Sequence, residues 1–332
     1  MVAKIIAEIG VNHNGDLTTA KELIIGTKNC GADIVKFQYF KTKDLVAEDT
    51  LTTKYQEKNT GLKFQSELLK NLEISLKSLN ELKKFSEKVS IEFLCTSFSP
   101  KGLIKLCNLG MKKIKIPSGE INNKALLINA AKLKKEIYLS TGMAKLSEIK
   151  TAVKILEEFK AKEITLMHCT SLYPAPSNSL NINALKDLKD NFNLKLGYSD
   201  HSIGSLASCL ALSLGATVLE KHITLDKNGI GPDHKASMNI KEFENYINDI
   251  KETEKILGKD KKCPDPREIK VKKLVRKSWY YSKNLREGEK LNRYNAILKR
   301  PEGGLSPLKE VYGKKLTKNV FANKPIKYSD II

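Results

Sequence analysis

The chain predicts a closed (β/α)8 barrel, an α/β fold of eight parallel strands each followed by a helix, with a small separate C-terminal domain. Three observations carry this. Apolar β-type runs alternate with amphipathic stretches over the roughly 250 residues that such a barrel occupies. Almost every run ends in polar side chains, and after Gly258 the texture of the sequence changes.

The β-type runs occupy residues 4–10, 32–38, 91–98, 112–119, 136–143, 163–170, 194–201 and 216–224. Between them, stretches such as 17–29, 147–159, 203–214 and 240–257 repeat apolar side chains at helical spacing, the pattern of βα units around a parallel sheet. A doubly wound open sheet is the alternative, but no glycine-rich dinucleotide fingerprint follows the first run. The barrel is therefore placed at residues 1–257. Residues 258–274 are read as a linker, because this stretch holds Pro264 and Pro266 and hardly an apolar residue. Within the remaining domain, 275–332, residues 283–297 align with 318–332 as an internal repeat. The turn glycine of one copy, Gly288, is matched by Asn323, the substitute that best tolerates a left-handed turn. A compact pseudo-twofold domain follows, too small to bury much core alone and so expected to dock on its own barrel or a partner's.

At 332 residues, 41% hydrophobic and 29% charged, the composition is that of an ordinary soluble protein. No run approaches the ~18 apolar residues of a membrane span, and Glu8 interrupts the start before a signal-like stretch develops, so a cytoplasmic protein with no membrane partner is expected. Six cysteines without CxxC spacing read as reduced and structural. The net charge of +20 is spread along helical faces with no basic stripe interleaved with aromatics, which argues against nucleic acid. Residues 258–332 nevertheless hold 21 Lys and Arg against 8 Asp and Glu, +13 of the total, so an anionic ligand or acidic surface is expected near the tail.

In a parallel barrel the chemistry sits where strands end, and the polar residues cluster there. The first run holds Glu8, the second Lys36 and Gln38, the third Thr96, the fourth Lys115, Ser118 and Glu120, and Tyr173 follows the sixth. Runs seven and eight end in Ser199-Asp200-His201 and Glu220-Lys221-His222, a histidine beside a carboxylate at successive strand ends, which is how a pocket collects neutral imidazoles for a divalent metal. Alternation puts Lys36 with Gln38, Ser199 with His201, and Glu220 with His222 on common faces. Lys36, inside an apolar run, demands an anionic partner. Lys115 follows Lys112 and Lys113 and reads either as a water-facing residue or as part of an anion pocket, while Glu8 is either a paired structural carboxylate or a general base. Together they suit a phosphorylated or carboxylated substrate whose carbonyl chemistry a divalent cation assists.

The ordered motifs resemble the N-acetylneuraminate (sialic acid) synthase family, which includes legionaminate and pseudaminate synthases. They are Ala7-Glu8-Ile9-Gly10-Val11-Asn12-His13-Asn14-Gly15, Val35-Lys36-Phe37-Gln38, Lys115-Ile116-Pro117-Ser118-Gly119-Glu120, Ser140-Thr141-Gly142-Met143, His168-Cys169-Thr170, Gly197-Tyr198-Ser199-Asp200-His201, Glu220-Lys221-His222 and Gly231-Pro232-Asp233. The resemblance continues into the tail, where Lys299-Arg300-Pro301 and the repeat are similar to an antifreeze-like (SAF) domain. It implies condensation of phosphoenolpyruvate with an N-acylated mannosamine and water, giving a nine-carbon 2-keto sugar acid and phosphate. It also implies a domain-swapped homodimer. By the same resemblance His201 and His222 hold Mn²⁺, with Mg²⁺ or Co²⁺ as alternatives. Lys36, Thr96, Lys115, Ser118 and Ser199 take phosphoenolpyruvate; Glu8 handles the proton of the attacking water. Gln38, Glu120, Tyr173 and Asp233 hold the open-chain sugar, and Arg300 reaches its N-acyl group across the dimer. Ser171, another expected substrate contact, stands where sialic acid synthases often place asparagine, and Arg276-Lys277 replace residues often apolar there. N-acetylneuraminate is the first expected product. A legionaminate synthase using 2,4-diacetamido-2,4,6-trideoxymannose, or a pseudaminate synthase, is the alternative within the family. A metal-dependent barrel hydrolase and a noncatalytic polyanion-binding protein are the readings from other classes.

Overall fold

The computed structural model describes residues 2–259 and 261–332, which form two compact units, 1–258 and 259–332. In the first, eight strands run β1 (Lys4–Gly10), β2 (Ile34–Tyr39), β3 (Glu92–Ser97), β4 (Lys113–Ile116), β5 (Glu136–Ser140), β6 (Glu163–Cys169), β7 (Lys195–Asp200) and β8 (Ala216–His222). All pair in parallel, in the order β3-β2-β1-β8-β7-β6-β5-β4. Strands β3 and β4 lie side by side without a hydrogen-bonded ladder, so the barrel is nearly closed. This is the TIM-barrel arrangement.

Local sequence accounts for the elements. The strands are buried almost end to end, as both faces of a parallel barrel require: β1 and β7 expose only their first residue. The helix Leu17–Cys30 starts where the Asp16 side chain accepts from the Thr19 amide and stops at Gly31, whose φ of 99° lets its N–H reach the Lys28 and Thr27 carbonyls. It buries Ala20, Leu23 and Ile24 against the sheet, each large side chain contributing about 1.5–3 kcal/mol, and Leu23→Ala is the single change that would open this seam at about 2–5 kcal/mol. The helix Ile240–Leu257 is closed by an Asn239–Glu242 capping box. Between β2 and β3 the chain inserts three short helices, Thr42–Leu45, Lys54–Thr60 and Gln65–Leu72, before the helix Leu76–Lys88. Leu68 and Leu72 pack with Val11 and Phe40 in a satellite core beside the barrel mouth.

The small unit begins with a correction to the expected linker: Pro266–Val275 is a helix, started by an Asp265–Glu268 capping box with proline at its first position. After it, β9 (Ser278–Tyr281) and β10 (Ala296–Lys299) pair antiparallel. The repeat offset is 318 − 283 = 35 residues, and the bridges obey it. Leu285 pairs with Val320, its own equivalent, and the bridges Tyr280 with Pro325 and Lys290 with Lys315 exchange under the offset. Gly288 and Asn323 both adopt left-handed backbone, φ 80° and 61°. Trp279, Tyr281, Leu285, Leu291, Val311, Val320 and Ile326 belong to the small core of this unit. All six cysteines are free. Among the described residues no helix is long and apolar enough to cross a membrane.

Candidate active site

Strand alternation decides which side chains enter the barrel mouth, where a cavity of about 510 Å³ is lined by Glu8, Lys36, Gln38, Thr96, Lys115, Ser199, His201, Glu220 and His222. Its floor is a buried ion-pair network. Lys36 Nζ lies 2.9 Å from Glu8 Oε2 and 3.6 Å from Glu220 Oε2, and donates to Thr96 Oγ1 at 3.1 Å. Lys115 Nζ, equally buried, donates to Glu220 Oε2 at 2.9 Å and touches Met167 Sδ at 3.2 Å. Ser199 Oγ donates to Glu220 Oε1 at 2.8 Å, and Gln38 Nε2 donates to Glu8 Oε1 at 2.8 Å.

The two lysines are not equivalent. Burial disfavours the charge of both, but Glu220 and Glu8 together raise Lys36 above the ordinary lysine value, whereas at Lys115 burial, helped by the charge of Lys36, outweighs the attraction of Glu220 and lowers it. The carboxylates split in the same way. Burial pushes Glu8 up, helped by the charge of Glu220 and opposed by Lys36. At Glu220 burial is outweighed by Lys115 and Lys36, which hold it well below the carboxylate range. Two lysines and two carboxylates thus make a floor that is formally neutral, so an entering anion has to share the ammonium donors of Lys36 and Lys115 with Glu220.

The histidines form the adjoining wall. His201 Nδ1 meets the Thr170 carbonyl at 2.7 Å, its Nε2 is 3.4 Å from Ser199 Oγ, and its ring lies 5.6 Å from that of His222. The Tyr173 ring lies against that of His201, centroids 4.2 Å apart and the planes tilted by 32°. Burial, then the neighbouring His222, lowers His201 to about 4; burial, then Lys36, lowers His222 to about 3. Asp233 Oδ2 stands 3.9 Å from His222 Nδ1, and burial with the charge of Glu8 raises that carboxyl to about 7. The loop carrying Asp233 is tied down by the first βα loop. Asn12 Nδ2 donates to Ile223 O and to Ser237 Oγ, which donates to Asp233 O at 2.7 Å; Asn14 Nδ2 donates to Ile230 O and meets His234 Nε2 at 3.2 Å.

Thirteen of the fourteen expected site residues line this one cavity, Ser118, Glu120, Ser171, Tyr173 and Asp233 included. Arg300 belongs to the small unit, where it is exposed. Ser118 Oγ accepts from the Gly142 amide at 3.0 Å and lies 3.1 Å from Cys169 Sγ. Sequence reasoning placed Glu220 on the right face but gave it no role; only barrel closure sets it between Lys36 and Lys115. Leu45, Val46, Thr53, Tyr55, Gln56, Leu68 and Leu69, from the insertion after β2, also line the cavity and were not anticipated. Their signal was weak, since the helices of this insertion are only four to eight residues long.

Among the described residues no group of three or more His, Cys, Asp or Glu side chains converges as a ready-made metal cage. A two-histidine site that leaves positions open for substrate still fits. Both imidazoles are neutral, as ligands must be, and His222 Nδ1 is buried with no hydrogen-bond partner.

Fold and cavity define the class: a TIM-barrel protein whose C-terminal strand ends enclose a charged pocket. A family model described as the NeuB family matches residues 23–262. The chain is 45% identical over 320 residues to N,N'-diacetyllegionaminic acid synthase of Campylobacter jejuni, covering 95% of this chain and 96% of that one. It is 39% identical to the protein of the same name from Legionella pneumophila, covering 100% and 95%. Among solved structures, the N-acetylneuraminic acid (sialic acid) synthetase of Leptospira borgpetersenii, in complex with citrate, superposes with a TM-score of 0.73 at 33% identity over 82% of this chain and 90% of that one. This chain belongs to the NeuB family.

Proposed function

We propose that this protein is a cytoplasmic synthase that condenses phosphoenolpyruvate with an N-acylated hexosamine and water, releasing phosphate and a nine-carbon 2-keto sugar acid. The observation that carries the reading is the buried floor of Lys36, Lys115 and Glu220 directly beside the His201–His222 wall. In it, Lys36 and Lys115 offset the phosphate and carboxylate charges, with Thr96, Ser118 and Ser199 as hydroxyl partners. Carbon 3 of phosphoenolpyruvate forms the new bond to the sugar aldehyde carbon, whose oxygen ends as a hydroxyl; water adds at C2, the C2–O bond to phosphate breaks to leave the ketone, and the two protons of the water end on that hydroxyl and on the released phosphate. Glu8, raised by burial and held by Gln38, is poised to take the proton of that water. Gln38, Glu120, Ser171, Tyr173 and Asp233 hold the open-chain sugar. A divalent cation, Mn²⁺ or alternatively Mg²⁺ or Co²⁺, held by His201 and His222, supplies Lewis acidity at the aldehyde. The small unit is read as an antifreeze-like (SAF) domain, and a domain-swapped homodimer would let Arg300 reach the N-acyl group of a sugar in the partner's barrel.

The identities of 45% and 39% to legionaminic acid synthases, against 33% to the sialic acid synthetase, favour a 2,4-diacetamido-2,4,6-trideoxymannose acceptor over N-acetylmannosamine. The sialic acid reading keeps the support of the 0.73 superposition. An acceptor panel tests both: phosphate release with Mn²⁺ should be fastest with the diacetamido sugar, and release with N-acetylmannosamine alone would reverse the assignment. No release with any acylated hexosamine would remove the synthase reading, and cleavage of a substrate without phosphoenolpyruvate would install hydrolysis instead.

A further inference from the structure

Directly behind the two imidazoles lies an ion pair that the proposed chemistry does not use. Strand alternation turns Glu220 and Ser199 into the mouth, and so turns the residues that follow them, Lys221 and Asp200, outward to the helices. Both are about 1% exposed. Lys221 Nζ stands 3.0 Å from Asp200 Oδ2, and the two residues face each other across the β7–β8 ladder, one position before His222 and His201.

The other bonds of the pair go to the segment after His201. Lys221 Nζ donates to the Ser202 carbonyl at 2.5 Å and the Gly204 carbonyl at 3.1 Å. Asp200 Oδ1 accepts from the Ser202 amide at 2.8 Å and its hydroxyl at 2.6 Å. Asp200 Oδ2 accepts from Ser208 Oγ at 2.8 Å, which is itself bonded by Tyr246 OH at 2.9 Å. The backbone on both sides of His201 is thereby gripped, as is the residue before His222. His201 has the Thr170 carbonyl to orient its ring, whereas His222 Nδ1 has no partner and the ring depends on how the backbone at Lys221 is held.

The attraction between the two charges does not by itself call for this pair. Outward positions of a parallel barrel are ordinarily apolar, and a well-packed apolar replacement for a buried ion pair is often neutral or stabilising. An apolar pair, however, could not bind the amide and two carbonyls of residues 202–204. We propose that Asp200 and Lys221 are positioning residues that fix the two imidazoles relative to each other, and so set the affinity of the site for a divalent cation. This rests on the reading of His201 and His222 as cation ligands.

Calorimetric titration of Mn²⁺ into the metal-free full-length protein, with thermal unfolding in parallel, tests it. The double variant Asp200→Leu/Lys221→Met, which leaves no unpaired buried charge, should melt above either single change, yet bind Mn²⁺ about 10–100-fold more weakly than wild type. Its phosphoenolpyruvate affinity, set by Lys36 and Lys115, should stay at the wild-type level. A folded double variant with wild-type Mn²⁺ affinity overturns the proposal. If the double variant does not fold, the near-isosteric Asp200→Asn carries the same test: weakened Mn²⁺ binding supports the proposal, and unchanged binding overturns it. Wild-type protein that binds no Mn²⁺, or whose binding survives His222→Ala, overturns the ligand reading itself and the positioning role with it.

Discussion

Glu220→Gln tests the anion floor directly. Its carboxylate is 4% exposed, lies 2.9 Å from Lys115 and 3.6 Å from Lys36, and accepts from Ser199. At an effective dielectric of about 20 the two attractions are roughly 6 and 5 kcal/mol gross, most of it offset by desolvation. Removing one partner of a buried pair costs about 3–5 kcal/mol, and the amide keeps the Ser199 bond, so the lower end, about 3 kcal/mol, is expected. For a barrel of this size that is about 6–12 °C in melting temperature. The same change leaves an excess positive charge that a phosphoenolpyruvate anion can neutralise. Scanning calorimetry should therefore show a large gap between variant and wild type without ligand and a much smaller one at saturating phosphoenolpyruvate. A gap that stays constant with ligand would refute the floor as an anion site, and no gap at all would refute the energetic account of the network.

His201→Ala or His222→Ala should lower kcat by at least about 100-fold, since Lewis-acid assistance is worth several kcal/mol, and should abolish its dependence on added Mn²⁺; a variant still stimulated by the metal would contradict this. Gly142→Ala would place a Cβ 2.6 Å from Ser171 Oγ, 2.8 Å from Cys169 Sγ and 2.9 Å from Ser118 Oγ, so about 1–3 kcal/mol of stability and a higher KM for phosphoenolpyruvate should follow, read by denaturant melts and steady-state kinetics. All five histidines are held below the ordinary value by burial, His13 and His201 to about 4 and His222 to about 3. The unfolded chain takes up protons below about pH 6.5 that the folded imidazoles refuse, so stability is full above that pH and falls as the pH drops toward 4. Asp233, raised to about 7, and Glu8, also raised by burial, work the other way, but they are two groups against five. The urea midpoint of metal-free protein should be lower at about pH 5 than at about pH 7.5, and an equal or higher midpoint at pH 5 would contradict the assignment.

The eight strands were legible because periodicity is a local property. Each run carries its apolar pattern within a few residues, and β1 and β8 lie within the predicted bounds. The helix Pro266–Val275 was missed because its Ile269, Val271 and Leu274 stay 43–69% exposed, leaving no apolar face to read; only the Asp265-Pro266-Arg267-Glu268 cap announced it. The individual groups of the site were also legible, since a lysine in Val35-Lys36-Phe37 or a histidine ending an apolar run is locally anomalous.

What the sequence by itself determined, then, was the alternation of strands and helices and the short list of polar groups at the strand ends. Which of those groups meet was decided by the tertiary structure alone. Lys36, Lys115 and Glu220 lie on β2, β4 and β8, and only the closing of the sheet brings Glu220 within 3.6 Å of one lysine and 2.9 Å of the other. Their contrasting proton affinities arise from that convergence. Burial and charge are sums over neighbours distant in sequence, and no local pattern along the chain encodes such a sum.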